Sequence, residues 1–171
     1  MNKSAIVPMP EFFDRYINLV QEDNLLKALE QSLAGQNNHP WDQLEALGDK
    51  VYAPGKWTIK DIVQHMIDTE RIMTYRTLRF SRNDATVLPG FEEDHYAANA
   101  DAQHRTLSDL RQELTLLRQA SLALFQSFTP DMFQRRGVAF KSEISVLALG
   151  FVVVGHEMHH WNVIRERYLS L

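Results

Sequence analysis

The chain has 171 residues, no cysteine and seven histidines, and 44% of its residues are hydrophobic and 23% charged. This is the composition of a soluble globular protein, and the length predicts a single domain, residues 1–171, with a substantial core. The lack of cysteine excludes disulfides, thiolate-bound zinc, cysteine-held iron–sulfur clusters and a cysteine nucleophile. Any transition-metal site must therefore be built from histidine and carboxylate side chains.

The charge and the hydropathy pattern argue against two further classes of protein. A formal net charge of -4 provides no general attraction to nucleic acids or to anionic membranes. The first residues lack the apolar region of a signal peptide, and the longest apolar run, Val146–Gly155, is far shorter than the about 20 residues that cross a bilayer. We therefore expect a cytoplasmic protein, for which the lack of cysteine is also typical.

An N-terminal arm of about 20 residues precedes the first predicted helix. Asp23 is a candidate N-cap of that helix, because apolar side chains follow it at helical spacing, and Gly35 ends the helix. The stretch around Trp41 is predicted to be loosely structured, up to the turn signal Ala53-Pro54-Gly55.

The second predicted helix begins with a variant of the capping box. The Thr58 hydroxyl and the Asp61 carboxylate can satisfy free N–H groups there, and apolar residues at a 3.6-residue period extend the helix to about Arg82. A long connection, Asn83–Ala100, follows and contains the turn signal Pro89-Gly90. Connections of this length are often functional or conceal a further element.

The third predicted helix repeats the capping pattern at Thr106 and stops at Thr129-Pro130. Its expected buried seam has helical spacing and consists of Leu110, Leu114, Leu117, Leu124 and Phe128.

The last predicted helix runs from Val146 to about Tyr168, with Ser145 as its N-cap. Before it, residues 137–144 fit either an extended loop or a short strand. Its Val152–Val154 segment has strand propensity, but a run that is apolar on all sides and leads into helical periodicity suits a central, buried helix. Four long helices predict an all-α fold, an antiparallel four-helix bundle with an N-terminal arm and one long loop between helices 2 and 3.

Two histidines of the last helix lie one turn apart. His156 and His160 occupy positions i and i+4, so their side chains share one face, with Cβ atoms about 5–6 Å apart. At this spacing two imidazoles can reach one metal ion at about 2.0–2.1 Å, and partial burial keeps them neutral, as metal ligands must be. The alternative is that these histidines are surface or packing residues without a ligand.

The same residues match H-E-x-x-H, the pattern of zinc proteases in which the glutamate is the general base. The protease pattern continues to a third ligand, and this continuation fails because Val163 stands where a glycine is required. Glu166 lies off the face of His160 and is no substitute. The third ligand must therefore come from an earlier helix.

His65 is the best candidate for that third ligand, because it borders the apolar stripe of the second helix. Asp61 and Asp68 are one turn to either side and could orient its other ring nitrogen. The alternative is a packing histidine. The remaining histidines in loops or near helix starts are interpreted as solvated and are His39, His95 and His104.

Three segments, in the same order, resemble the DinB-like superfamily of damage-inducible metalloproteins: WTIKDIVQHMIDTERIMTYRTLR, LPGFEEDHY and GHEMHHWNVIRERYL. The similarity extends from about Tyr16 to Leu171. The resemblance implies a four-helix bundle, often dimeric, with a divalent metal ion bound by one histidine of the second helix and two of the last. In this sequence these positions are His65, His156 and His160, whereas His159 is additional to the pattern.

The resemblance leaves the reaction open, since some relatives are S-transferases or isomerases that use a low-molecular-weight thiol and others are described as hydrolases. Three neutral imidazoles leave open positions on a divalent ion, the arrangement of a catalytic site. Such an ion lowers the pKa of a bound water or holds a substrate thiolate. We therefore expect a metal-dependent hydrolase or thiol transferase acting on a small molecule, with zinc or nickel favoured although imidazole also binds iron and copper.

Three further side chains are candidates for such a site. Glu157 follows a proposed ligand directly and could act as a general base, or it could be a solvated surface residue. Arg76 shares the face of His65 but stands about 16 Å further along the helix. Tyr96 lies in the long connection and is a weaker candidate of the same kind.

Two other classes of function remain. A non-catalytic bundle, stabilised by its metal and used for dimerisation or ligand binding, would carry the same histidines. Nucleic-acid binding would need one basic stripe, but four arginines spread along the second helix do not form one, and basic residues near a helix C-terminus complement its dipole. These arginines are Arg71, Arg76, Arg79 and Arg82.

Overall fold

Four long helices form the body of the protein in a computed structural model that describes all residues, 1–171. They are α2 (Leu25–Gly35), α4 (Ile59–Ser81), α6 (Leu107–Gln126) and α8 (Val146–Arg167). The shorter helices are α1 (Asp14–Ile17), α3 (Trp41–Leu47), α5 (Glu93–Asn99) and α7 (Pro130–Gln134), with 3-10 turns at Lys3–Ala5, Gln36–Asn38 and Ala102–His104. Two strands, β1 (Arg136–Ala139) and β2 (Ser142–Ser145), form an antiparallel hairpin. The predicted all-α four-helix bundle is confirmed.

The bundle has a crossed connectivity. Both α2 and α4 pack against α6 and against α8. The diagonal pairs are therefore α2 with α4 and α6 with α8, whereas α4 and α6 are neighbours. As a result α8 lies between α2 and α4, and α1 and β2 cover more of its surface. Every residue from Val146 to Glu157 is consequently buried, which confirms a central last helix. None of the helices combines the length and the apolar composition of a membrane span.

Local side-chain hydrogen bonds explain where the long helices begin. Thr58 and Asp61 form the predicted capping box, and Thr106 and Ser145 accept bonds from backbone N–H groups of their own first turns. The first bundle helix differs from its prediction by one residue. Its N-cap is Asn24 rather than Asp23, and the Asn24 side chain accepts a hydrogen bond from the Lys27 N–H at 3.3 Å.

Two connections predicted to be loops contain short helices. The stretch around Trp41 forms α3, because burial of Trp41 and Leu44 stabilises a helix whose local signals are weak. The connection Asn83–Ala100 contains α5, and none of the α5 side chains is buried in the core. Of the two alternatives for residues 137–144, the strand is correct, since Gly137 pairs with Ile144 across the hairpin.

A layer of buried polar side chains divides the core into two apolar halves. One half contains the start of α8 and the end of α4, and the other contains the start of α4 and the end of α8. The α6 seam contributes to this layer and is therefore less apolar than predicted, with Leu117 and Leu124 only partly buried. The layer consists of His65, Thr69, Glu70, Arg118, Ser121, His156 and Glu157.

Candidate functional site

Three histidine rings meet in the polar layer between α4 and α8. The Nε2 atom of His156 lies 3.0 Å from Nε2 of His65 and 3.0 Å from Nε2 of His160. One ring nitrogen from each residue lies within 4.8 Å of the other two. The fold thus brings His65, 91 positions earlier in the chain, to His156 and His160, and the three residues are here called the histidine triad.

Burial keeps the histidine triad neutral. Desolvation lowers the pKa of His65 to about 4 and the pKa of His160 to about 3. It also lowers the pKa of His156, and the neighbouring imidazoles act in the same direction. The Asp94 carboxylate opposes this effect at His65. Three neutral imidazoles that face one point are a donor set that fits a divalent ion such as zinc or nickel.

Aromatic rings pack directly on two members of the triad. The Trp57 ring packs on His65 with 4.8 Å between ring centroids, and Tyr16 packs on His156 at 5.3 Å. Asp61 and Asp68, expected to orient His65, have other partners: Asp61 caps α4, and Asp68 accepts a hydrogen bond from Gln64 at 2.9 Å. The ring of the additional histidine, His159, packs on Tyr16 outside the triad.

Glu157 belongs to a different group of side chains. Its carboxylate lies 2.8 Å from Nη1 of Arg118 and accepts a hydrogen bond from Ser32 at 2.5 Å. Arg118 also binds both carboxylate oxygens of Glu70 at 2.9 Å, and the Ser121 hydroxyl donates to Glu70 at 2.7 Å. This ionic cluster of five residues joins all four bundle helices. The Glu157 carboxylate is therefore buried and paired within this cluster, and is not a solvated surface group.

Two cavities border the triad on different sides. The larger cavity has a volume of about 370 Å³, is lined by His65 and His156, and extends along α4 to Arg76. The smaller cavity, about 270 Å³, is lined by His160 and Asp94. Arg76, a candidate about 16 Å beyond His65 along the helix, therefore lines the same cavity as His65 and His156. Tyr96 is exposed and lines neither cavity.

The arginines of α4 act separately. Arg71 pairs with Glu113 at 2.5 Å, Arg79 pairs with Asp84, and Arg82 lies over the Phe128 ring. Arg76 is buried in the larger cavity. Each arginine of α4 therefore has its own surroundings, and together they do not form a continuous basic face.

His39 was expected to be solvated, and this is wrong. Its ring stacks on Trp161 with 3.5 Å between centroids and 10° between ring planes, and burial lowers its pKa to about 4. The 3-10 turn before it places the ring on α8, which its position in a loop did not reveal. His95 and His104 are exposed, as predicted.

The stacked His39 predicts a loss of stability in acid. Its pKa is lower in the folded protein than in the unfolded chain, so the unfolded chain binds the proton first as the pH falls. Stability should therefore fall between about pH 6.5 and pH 4. In urea denaturation over this range, His39→Phe, which keeps a stacking ring, should lose less stability than the wild type. The exposed-residue control His104→Phe should follow the wild type, and equal pH dependence of wild type and His39→Phe would contradict the prediction.

Several residues near the site have weak signals in the sequence. Arg118 is spaced four residues after Leu114 and seven before Phe125, so a charge falls on an apolar seam, which is rare unless the charge is paired. Thr69 lies one turn after His65 and only its spacing indicates a role. Asp94 falls in a segment that resembles the DinB-like superfamily, although spacing alone does not connect it to the triad.

Comparison with known proteins gives the class of protein that this fold and triad define. The DinB superfamily is matched over residues 23–164, and the chain belongs to that superfamily. The fold is similar to that of YfiT from Bacillus subtilis, described as a probable metal-dependent hydrolase with an unusual four-helix bundle topology. The alignment has a TM-score of 0.62 and 23% sequence identity, and covers 94% of this chain and 86% of that chain. Among curated proteins, none matches the sequence.

Proposed function

We propose that the protein is a divalent-metal-dependent hydrolase of a small molecule, with His65, His156 and His160 as the metal ligands. The convergence of three Nε2 atoms, two of them on buried histidines and one on a partly buried histidine, carries this proposal. A neutral imidazole has only one N–H donor, so three rings facing each other cannot all be satisfied by hydrogen bonds among themselves. A single cation satisfies all three lone pairs at once, and zinc or nickel suits this donor set.

The surroundings of the triad support a catalytic rather than a purely structural site. A divalent ion bound by three imidazoles has open positions at which it lowers the pKa of water or binds a thiolate. His65 and His156 line a cavity large enough for a small molecule. Asp94, which shifts the pKa of His65 and lines the cavity beside His160, is placed to accept a proton. The Glu157 carboxylate is instead paired with Arg118.

A thiol-dependent S-transferase is the second candidate, since the same open positions would bind a thiolate. The chain has no cysteine, so the thiol would be an external, low-molecular-weight one. A non-catalytic metal-stabilised bundle is the third. A single domain, a cytoplasmic location and a homodimer, the last implied by the superfamily, complete the proposal.

Metal analysis tests the ligand set. Protein purified without an affinity tag should contain about one divalent ion per chain, and His156→Ala should weaken binding by at least about a hundredfold, because a ligand is lost. The control is His95→Ala, an exposed histidine of α5, which should bind metal as the wild type does. Metal content is measured by mass spectrometry and affinity by chelator competition. Equal metal binding by wild type and His156→Ala would refute the site.

Activity measurements then separate the three candidates. The metal-loaded protein is assayed on a panel of small esters and amides with and without an added thiol. Metal-dependent hydrolysis without thiol supports the hydrolase, and product that forms only with thiol supports the transferase. A bound metal that raises the melting temperature without turnover in either assay supports the non-catalytic bundle.

A further inference from the structure

The larger cavity contains a buried arginine without a counter-ion. Arg76 is 5% exposed, donates from Nη2 to the Pro89 carbonyl at 2.9 Å, and has Nη1 3.6 Å from the Met73 sulfur. Burial lowers its pKa, and no carboxylate pairs with it. By contrast, the fully buried Arg118 binds two glutamates.

An uncompensated charge in the interior is unfavourable unless a partner is supplied. A guanidinium has five N–H donors, and at Arg76 only one of them meets an oxygen. The charged residues that line the same cavity, Glu93 and Lys141, are exposed and of opposite sign. The buried charge in the cavity is therefore positive.

A second unpaired polar group lies between Arg76 and the triad. Thr69 is 4% exposed, lines the cavity, and its hydroxyl has no hydrogen-bond partner. A helical threonine has two accessible χ1 rotamers, so the hydroxyl can turn towards a ligand. His65, Thr69 and Arg76 follow one another along the same face of α4.

The rest of the cavity is largely apolar and aromatic. Phe91 lies 6.0 Å from the Arg76 guanidinium, measured to the ring centroid. At the mouth, Phe12 is 59% and Phe140 61% exposed, and their φ angles are 70° and 58°. Left-handed backbone at a non-glycine residue is strained and persists where surroundings or function demand it. Two exposed rings, each on left-handed backbone beside one cavity, are suited to contact an apolar ligand.

We propose that this cavity binds a small organic carboxylate with an apolar or aromatic body. The carboxylate pairs with Arg76, the Thr69 hydroxyl donates to the ligand, and the other end reaches the triad. Met73, which contacts the guanidinium, is two turns or about 12 Å beyond His65 along α4, which fits a ligand of phenylpropanoate size. That the other end of the ligand reacts at the triad rests on the proposed function. Binding of the carboxylate at Arg76 does not require a metal.

Binding to the metal-free full-length protein tests the carboxylate subsite apart from the metal. The probe is 3-phenylpropionate and its matched neutral control is 3-phenylpropanamide, both measured by isothermal titration calorimetry. The carboxylate should bind at least about tenfold more tightly than the amide. Arg76→Met should weaken the carboxylate about a hundredfold and Thr69→Val about tenfold, whereas Arg71→Met, on the exposed side of the same helix, should change nothing.

Equal affinity for acid and amide, equal affinity of wild type and Arg76→Met, or no binding at millimolar concentration would overturn the proposal. Carboxylate binding that requires the metal and is unchanged by Arg76→Met would also overturn the proposal, but it would not contradict the metal site. If the protein takes up no divalent metal in the metal analysis but still binds the carboxylate in an Arg76-dependent way, the proposed function is refuted and the carboxylate subsite is supported. If Arg76→Met does not fold, as judged by circular dichroism, Arg76→Lys and Thr69→Val replace it, and unchanged affinity in both overturns the proposal.

Discussion

Replacing Arg118 with methionine is expected to lower the free energy of unfolding by about 3–5 kcal/mol. Arg118 is fully buried and lies between Glu70 and Glu157, at 2.9 Å and 2.8 Å. Methionine fills much of the same space but leaves two carboxylates buried without a cation. The loss is measured by chemical denaturation followed by circular dichroism.

The matched control for this prediction is Arg71→Met. The same substitution there breaks a pair with Glu113 whose arginine is 50% exposed, and should change stability by no more than about 1 kcal/mol. Adding Glu70→Gln and Glu157→Gln to Arg118→Met should recover part of the loss, because the unpaired charges are removed. An equal effect of Arg118→Met and Arg71→Met would show that the ionic cluster does not stabilise the bundle.

Gly155→Ala is expected to destabilise the protein by about 1–3 kcal/mol or more, although alanine is the better helix former. A Cβ atom at Gly155 would lie 2.0 Å from the carbonyl oxygen of Tyr16, which is backbone and cannot turn away. The N-terminal arm must therefore move off α8. Because Tyr16 packs on His156 and lines the larger cavity, the arm should become sensitive to proteases and the site should open.

Gly35→Ala provides the control for Gly155→Ala. Gly35 is the last residue of α2, and a Cβ atom there would meet nothing within 4 Å. This substitution should be neutral or stabilise the protein by up to about 1 kcal/mol. Denaturation curves of the two variants test the difference. A Gly155→Ala variant as stable as Gly35→Ala, with a protected arm, would contradict the close contact.

Helix boundaries that depend on local chemistry are predictable from the sequence. Thr58 and Ser145 bond to their own first turns, and such bonds are encoded within a few residues. By contrast, α3 exists because Trp41 is buried against the bundle, and no neighbouring residue signals this. The one-residue error at Asp23 arises because Asn24 caps as well as aspartate does.

The candidate site divides in the same way. His156 and His160 share one helix face, and periodicity alone brings their side chains together. Spacing makes His65 a candidate ligand, and the resemblance to the superfamily implies the same residue. Its contact with His156, however, is a tertiary contact that spacing does not encode. The ionic cluster depends on which helices become neighbours, so the sequence indicates only that Arg118 falls on an apolar seam.

The crossed connectivity makes the histidine triad depend on contacts of long sequence separation. His65 and His156 are separated by 91 positions, and Ser32 and Glu157, which join the neighbouring ionic cluster, by 125. Contacts of such long sequence separation form slowly, because loop-closure entropy is lost before the contact stabilises the chain. A metal ion that recognises only the assembled triad binds the native state and not its partly folded precursors. Uptake of the proposed metal ion would therefore require that α8 has reached its place between α2 and α4.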